Sequence, residues 1–495
     1  MPDAPIIGQS APVEPRGLPA LEAAVRRDLA ALNHPPPNWV PSRNGPPGRP
    51  VLDALVVGGG MCGQTAAFAL LREGVRNIRV VDRSAAGREG PWGTYARMDT
   101  LRSPKHLTGP DLGIPSLTFR AWFEAQHGAE AWLSLHKVAR LDWLEYLLWV
   151  RRVAGIAVEN GVEATALALA GEFVAARLRS ATGDETVFAR KVVLAMGRDG
   201  SGAPTWPAFP SFDPSDTRAR RRVFHSSDDV DFGAWSGARF GVLGAGASAF
   251  DNAAAALESG AREATLFVRR RFLPQVNKSK WTAFPGFLRG FAALDDLDRW
   301  SFYTYIFDEQ VPPPHESVLR CERHAGFALR FAEAWTDVRA DDGGVTVTTA
   351  RGEHRFDAVV IATGFDVNVA DRPELAAFRA SIAIWADRVP PAAARAHPEA
   401  ARFPYLGAGF ELVERSPGAA PGLGNVHVFN WGSTMSHGAL AGDIPGLGIG
   451  AERLAHAIVT DLFVADVDRH RANLLAHEEP ELKPTRYYVA PEDRR

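Results

Sequence analysis

Apolar and polar positions spell the same unit twice along the chain. VLDALVVGGG, starting at Val51, is a short apolar run ending in glycines, and QTAAFALLREG after it carries apolar residues at helical spacing. The pattern predicts a strand and then a helix. IRVVD follows as a second strand and completes a βαβ unit. The order returns from Arg239, where RFGVLGAG reads as a strand, ASAFDNAAAALESG as a helix stopped by Gly260, and ATLFVRR as a strand. Two more apolar strands end in glycine, KVVLAMG (191–197) and AVVIATG (358–364), each after a polar strand-like segment. Further on, VHVFNWG (426–432) reads as a buried strand, and Leu454, Ile458 and Leu462 mark one apolar stripe on a helix. The first 50 residues differ. Their proline-rich end, HPPPNWVPSRNGPPGRP, cannot continue a helix or central strand, so they read as an extension that wraps or precedes the first domain, or as a disordered tail.

Composition narrows the classes. Hydrophobic residues make up 46% and charged residues 23% of the 495, an ordinary globular balance. A net charge of −3 removes the electrostatic argument for nucleic acid or an anionic membrane as main partner. Two cysteines, Cys62 and Cys321, allow neither a disulfide framework nor a cysteine-rich metal site, and no metal is expected. No apolar run approaches the ~20 residues of a membrane span. MPDAPIIGQSAPVEPRG lacks the basic-then-apolar order of a secretory signal, which points to a soluble, cytoplasmic protein.

The chemistry sits in the glycine turns. With 46 glycines in the chain, about 0.4 GxGxxG matches arise by chance, so Gly58-Gly59-Gly60-Met61-Cys62-Gly63 gains its meaning from standing between strand and helix. Gly58 allows the tight turn, Gly60 lets backbone approach a pyrophosphate, and Gly63 lets helix pack on strand. The helix N-terminus offers free N–H groups to phosphate. Asp82 closes the second strand, where a carboxylate accepts ribose hydroxyl hydrogen bonds. The second turn is Gly244-Ala245-Gly246-Ala247-Ser248-Ala249, and its second strand ends on Val268-Arg269-Arg270-Arg271. Arginines there suit a 2′-phosphate that a carboxylate would repel. Acid after one loop and base after the other imply two dinucleotides, FAD first and NADPH second, and so a redox protein.

The fold class expected is therefore α/β with two Rossmann-like dinucleotide-binding domains, the NADPH domain inserted into the FAD domain. The boundaries are a 1–50 extension, 51–205 for the first part of the FAD domain, 206–365 for the NADPH domain with an aromatic-rich insertion over 272–335, and 366–495 for the second part. A redox cysteine pair is absent, which excludes a disulfide reductase, and no cysteine cluster suits iron–sulfur ligation. Oxygen remains as the electron acceptor.

In order, GGGMCG, VVD, GPWGTY, LRSPK, LAMG, VFHSSD, GAGASA and ATGFD resemble the two-dinucleotide flavoprotein monooxygenases over roughly residues 51 to 465. These include flavin-containing monooxygenases, Baeyer–Villiger monooxygenases and amine N-hydroxylases. The resemblance implies that FAD reduced by NADPH reacts with oxygen to a flavin peroxide, which transfers one oxygen atom to a small-molecule substrate. Of the Baeyer–Villiger fingerprint only His225 is kept, with Ala219, Arg221 and Asp229 at its other positions, so nitrogen or sulfur oxygenation is expected over ketone oxidation. The alternatives are a Baeyer–Villiger enzyme and a flavoprotein reductase serving a protein or quinone acceptor.

The resemblance also suggests site residues. Arg102, in the 95–105 loop that runs near the flavin ring in relatives, is a catalytic candidate that could orient oxygen or an acidic substrate, or else pair with a carboxylate. Asn277, in PQVNK, is compared with a substrate-contacting asparagine of the N-hydroxylases. Trp92 lines the flavin or sits in a core. Asp443 lies before a helix whose start points at the flavin pyrimidine in relatives. With Arg83, Thr363 and Gly364, these complete the cofactor-binding set of Gly58, Gly60, Gly63, Asp82, Gly244, Gly246, Ser248, Arg269 and Arg270. Substrate identity is not legible, because pockets are assembled from loops without a code; an oligomer is possible.

Overall fold

The computed structural model describes residues 17–46, 48–106, 109–482 and 485–494. Helix α1 (Gly17–Ala31) lies in the segment read as an extension or a disordered tail, ahead of its proline-rich end, and buries Val25 and Leu29. The reason is local: ALEAAVRRDLAA consists mostly of strong helix formers, and the prolines that stop helices crowd into 35–50. The part of the extension before residue 17 falls outside the described residues.

The first unit follows. Strand β1 (Arg49–Val57), helix α2 (Met61–Arg72) and strand β2 (Ile78–Asp82) form the βαβ unit, with β1 and β2 parallel. Strands β3 (Glu163–Ala170), β4 (Phe173–Ser180) and β5 (Gly183–Leu194) follow, β5 pairing parallel with β1 and antiparallel with β4. Side chains alternate across this sheet. Ala54, Val56, Val80 and Val193 pack into one hydrophobic layer with α2, while Leu55, Val57, Val81 and Val192 pack into another.

Strand β6 (Gly202–Pro204) carries the chain out, and the second unit is a five-stranded parallel sheet. Its strands are β7 (Val223–His225), β8 (Arg239–Leu243), β9 (Glu263–Val268), β10 (Phe327–Phe331) and, returning last, β14 (Ala358–Ile361). Helix α3 (Ala247–Glu258) covers one face through Phe250, Ala253 and Leu257. The antiparallel strands β11 (Trp335–Asp341), β12 (Gly344–Thr349) and β13 (Gly352–Phe356) cover the other, through Val338, Val345 and Phe356. Strand β15 (Phe365–Val367) then returns antiparallel to β6, so the two chain crossings form one short ribbon. Strand β16 (Val426–Val428) rejoins the first sheet beside β5. The second unit is thus inserted into the first, the α/β organisation expected.

The aromatic insertion packs away from its own sheet. Within it, helix α4 (Asp296–Glu309) places Trp300, Tyr303 and Ile306, with Phe287 and Phe291, against Trp385, Phe403 and Met435 of the first unit. Trp281 is 61% exposed, so the segment is core on one side only. Helix α5 (His315–Glu322) closes the insertion, and Cys321 is buried on it. VHVFNWG is strand only over Val426–Val428; Trp431–Ser433 form a single 3-10 turn. Helix α6 (Leu447–Ala465) packs on α2 and buries Leu454, Ile458 and Leu462, the stripe read from the spacing. No helix among the described residues is long and apolar enough to cross a membrane.

Candidate active site

Each glycine turn divides into structural glycines and an open one. Gly58 holds φ +103°, and a Cβ there would stand 2.6 Å from the Ala195 carbonyl oxygen; a Cβ on Gly63 would stand 1.7 Å from that of Gly58. On Gly60 the nearest atom is Gly90 N at 3.7 Å. The loop thus leaves backbone bare on one side only, the cradle a pyrophosphate needs. Asp82 faces it. Its Oδ2 accepts from the Gly59 N–H at 2.8 Å and Oδ1 from the Ser84 N–H at 2.8 Å. A carboxylate has about four acceptor sites, so two stay available for ribose hydroxyls. In the first turn of α2 the Gln64 amide nitrogen is buried without a hydrogen-bond partner among the described residues.

The second turn repeats this division. Gly244 holds φ +127° with a Cβ position 2.7 Å from the Ala362 carbonyl oxygen, while Gly246 has nothing within 4 Å. Ala249, fully buried, takes the third position. Ser248 is exposed at the turn. Past β9, Arg269 is exposed and Arg270 half-buried. Thr363 donates from Oγ1 to the Thr205 carbonyl at 2.5 Å and fastens the crossing segments, and Gly364, at φ +82°, is open where a Cβ would point. Both cradles fit dinucleotides: what a Cβ would fill is free at the second glycine and closed at the first.

Between the cradles lies a polar cluster that sequence reasoning found only in part. Arg198, directly after the β5 turn, stacks its guanidinium 3.7 Å from the Trp431 ring centroid and stands 4.0 Å from Asp443 Oδ1. Arg83 pairs with Asp199 at 2.9 Å. Burial pushes the Asp199 carboxyl up, against the pull of Arg83. Trp92 packs against the first core and its carbonyl accepts from Arg140, so it is partly a core residue. Arg102 has a 44% exposed side chain 3.9 Å from Asp251 Oδ2 on α3. The carboxylate it meets is therefore a buried one of the second unit. Asn277 stands at the residue before the 3-10 turn Lys278–Thr282 without capping it, its Oδ1 buried and unpartnered among the described residues; no hydrogen bond or ion pair there joins it to Arg102.

Two buried histidines, His225 and His437, are held neutral. His225 is buried on β7 beside Trp206 and Phe365; its Nδ1 accepts from the Ser227 N–H at 3.1 Å, and burial pulls its pKa down to about 4. His437 donates from Nε2 to the Gly407 carbonyl at 2.8 Å and accepts from Arg453 at Nδ1 at 3.2 Å. Burial, with Arg453 beside it, pulls its pKa to about 3. Neither is poised to exchange protons at neutral pH.

Arg198 was legible in principle. It follows the glycine that ends a central parallel strand, where open α/β sheets bind ligands. Asp251 and Asp199 gave no local signal.

Two glycine cradles on parallel sheets, joined by a two-strand ribbon, define a two-dinucleotide oxidoreductase. The family described as FAD-NAD(P)-binding matches residues 55–199. An FAD-dependent urate hydroxylase of Xanthomonas campestris pv. campestris is 42% identical over 454 residues, covering 91% of this chain and 94% of that protein. Among solved structures, the ornithine hydroxylase PvdA of Pseudomonas aeruginosa matches with a TM-score of 0.64 at 17% identity, over 83% of this chain and 100% of that one. An ornithine N-hydroxylase of Kutzneria sp. 744, solved with reduced FAD, NADP⁺ and L-ornithine, gives a TM-score of 0.64 at 16% identity, over 83% and 100%. The chain belongs to the family of FAD-dependent hydroxylases that includes the Xanthomonas protein, and it is a flavoprotein monooxygenase.

Proposed function

We propose that the protein uses NADPH and FAD to insert one atom of dioxygen into a planar, nitrogen-rich anion of the urate type. The observation that carries this is the 42% identity to an FAD-dependent urate hydroxylase across 91% of the chain. The expectation of nitrogen or sulfur oxygenation has the shared fold of the N-hydroxylases behind it, and at 17% identity that likeness concerns the fold alone.

The chemistry FAD supplies when bound is two-electron exchange with NADPH and with dioxygen. The rest belongs to the chain's residues. Gly60 and Gly246 leave room for the two pyrophosphates, and Asp82 accepts from a ribose. Arg269 and Arg270 meet the 2′-phosphate with charge-assisted hydrogen bonds. Arg198, aligned on Trp431, offers a flat cation to a flat anion, and Arg102 adds a second positive charge from the 95–105 loop. Asn277 supplies an unpartnered amide oxygen from the aromatic insertion. Two unpaired, buried cysteines suit a reducing cytoplasm.

The test is NADPH oxidation by purified protein with urate, other purines, ornithine, lysine and thioethers, under labelled dioxygen. Labelled oxygen in a purine product at a rate above the uncoupled background supports the reading. Turnover with an amine or thioether and none with purines overturns it.

A further inference from the structure

Arg320 stands on α5 with a side chain only 7% exposed, and its guanidinium serves both units at once. Toward the second unit, Nε and Nη2 donate to Glu258 of α3 at 2.9 and 2.6 Å. Toward the first, Nη1 donates to the Arg97 carbonyl at 2.8 Å, and Nε lies 3.1 Å from Asp99 Oδ2. Neighbouring contacts cross the same seam. Lys137 pairs with Glu316 of α5 at 2.7 Å, and Arg97 donates to the Val230 carbonyl at 2.8 Å. Asp251 accepts from Ser317 Oγ at 2.5 Å and faces Arg102 at 3.9 Å.

The covalent joints between the units are few. The chain crosses through the β6–β15 ribbon, and the aromatic insertion packs on Trp385, Phe403 and Met435 of the first unit; the end of α3 and the 95–105 loop lie outside that cluster, and they are free to shift against each other unless tied separately. Helix α3 begins at the second glycine cradle and ends at Glu258, a span of about 18 Å. Whatever holds its C-terminal end against the 95–105 loop therefore sets where that cradle stands relative to the first. Displacement of about 1 Å at a reacting pair can cost about 100-fold in rate.

We propose that Arg320, with Asp99, is a positioning pair that fixes the two dinucleotide cradles in register for hydride transfer. This rests on the proposed reading that hydride leaves NADPH, oxidised to NADP⁺, and reduces FAD by two electrons. Arg320 touches neither cradle; it acts through α3 and the 95–105 loop.

The experiment compares Arg320→Ala, Arg320→Lys and Asp99→Asn with the wild type as holoenzymes. Flavin reduction by NADPH and by dithionite is timed without oxygen, NADP⁺ affinity is measured by titration, and hydrogen exchange of 202–206 and 363–367 is followed in the FAD-bound protein before nucleotide is added. Asp99 is largely exposed, so its variant tests the tie without threatening the fold. The expected result is reduction by NADPH slowed about tenfold or more in Arg320→Ala and Asp99→Asn. Dithionite reduction, FAD content and NADP⁺ affinity stay unchanged, ribbon exchange speeds up, and Arg320→Lys recovers part of the loss. Wild-type reduction by NADPH in both variants overturns the proposal. So does a loss matched by lost FAD or lost NADP⁺ affinity, which would make Arg320 merely structural. If the wild-type flavin is not reduced by NADPH at all, the functional reading fails instead; hydrogen exchange then decides the tie, and unchanged exchange overturns it.

Discussion

A Cβ on Gly63 would stand 1.7 Å from the Gly58 carbonyl oxygen, whereas one on Gly60, three residues earlier, meets nothing nearer than 3.7 Å. The two glycines of one loop therefore answer to different demands. Gly60, at φ −72°, holds a backbone conformation open to any residue. Gly60→Val should fold with a melting temperature near the wild type and purify without flavin. Gly63→Ala should fold poorly, because backbone carbonyls cannot step aside. Thermal melts read beside the flavin-to-protein absorbance ratio check both, and full flavin occupancy in Gly60→Val would show that this loop is not the FAD cradle.

The cofactor preference is tested past β9. Arg269 is exposed and Arg270 half-buried, and neither side chain has an ion pair or hydrogen bond among the described residues. A charge-assisted hydrogen bond is worth about 1.5–3 kcal/mol. Arg269→Ala or Arg270→Ala should accordingly raise the KM for NADPH about tenfold or more and leave that for NADH unchanged. Steady-state kinetics with both nucleotides decide it; an unchanged ratio in both variants removes the 2′-phosphate from this strand end.

His437 gives a pH signature. Its pKa is pulled to about 3 by burial among Arg453 and Arg299. The unfolded chain binds this proton below about 6.5. The native state then binds fewer protons than the unfolded state as pH falls from 6.5, so the stability held with a neutral ring is present above 6.5 and is lost toward pH 3. His437→Gln keeps an N–H for the Gly407 carbonyl but does not titrate. Denaturant unfolding at pH 7, 6 and 5 should show the gap between wild type and variant closing by about 1.4 kcal/mol per unit below 6.5. A constant gap would mean that the folded ring takes up its proton over the same pH range as the unfolded one.

What could be read from the chain follows a physical division. Ala54 and Leu55 face opposite layers because strand geometry has period two, and Gly58 and Gly244 stand at positive φ because the turn admits little else. Such demands are local and leave a mark in residue type and spacing. Helix α1 was hidden by the prolines around it, although its own residues favour helix. The seam left no mark at all. Arg320 donates to Arg97 across 223 positions, and the meeting of Asp99, Asp251 and Glu258 on that side chain depends on how two complete units dock. Arg198 is marked by the strand-end glycine before it, but its stacking on Trp431, which pairs the ends of β5 and β16, is not.

Arg198 is the charge to remove if the substrate is an anion. Arg198→Ala should raise the KM for urate about tenfold or more, the worth of one charge-assisted contact. The KM for NADPH should stay within about twofold, because the second cradle lies on the other unit. An equal effect on a neutral purine would show that Trp431 stacking, and not charge, was lost.

Arg102 separates two roles that lie side by side. At 3.9 Å from Asp251 it is too far for a hydrogen bond, and its own side chain is 44% exposed. Its donors are therefore available to the cleft. If it orients oxygen or substrate, Arg102→Ala should still be reduced by NADPH at the wild-type rate. Product would fall relative to NADPH consumed, with the difference appearing as hydrogen peroxide. Loss of one such donor costs about 2.7–4 kcal/mol, so product formation should drop roughly 100- to 1,000-fold. If Arg102 only ties the 95–105 loop to α3, the variant should instead behave like Asp251→Asn, with slower reduction and coupling intact. The measurement is NADPH oxidised, peroxide released and product formed in one reaction, with anaerobic reduction timed in parallel. Slow reduction with full coupling assigns Arg102 to the seam; fast reduction with lost coupling assigns it to the chemistry.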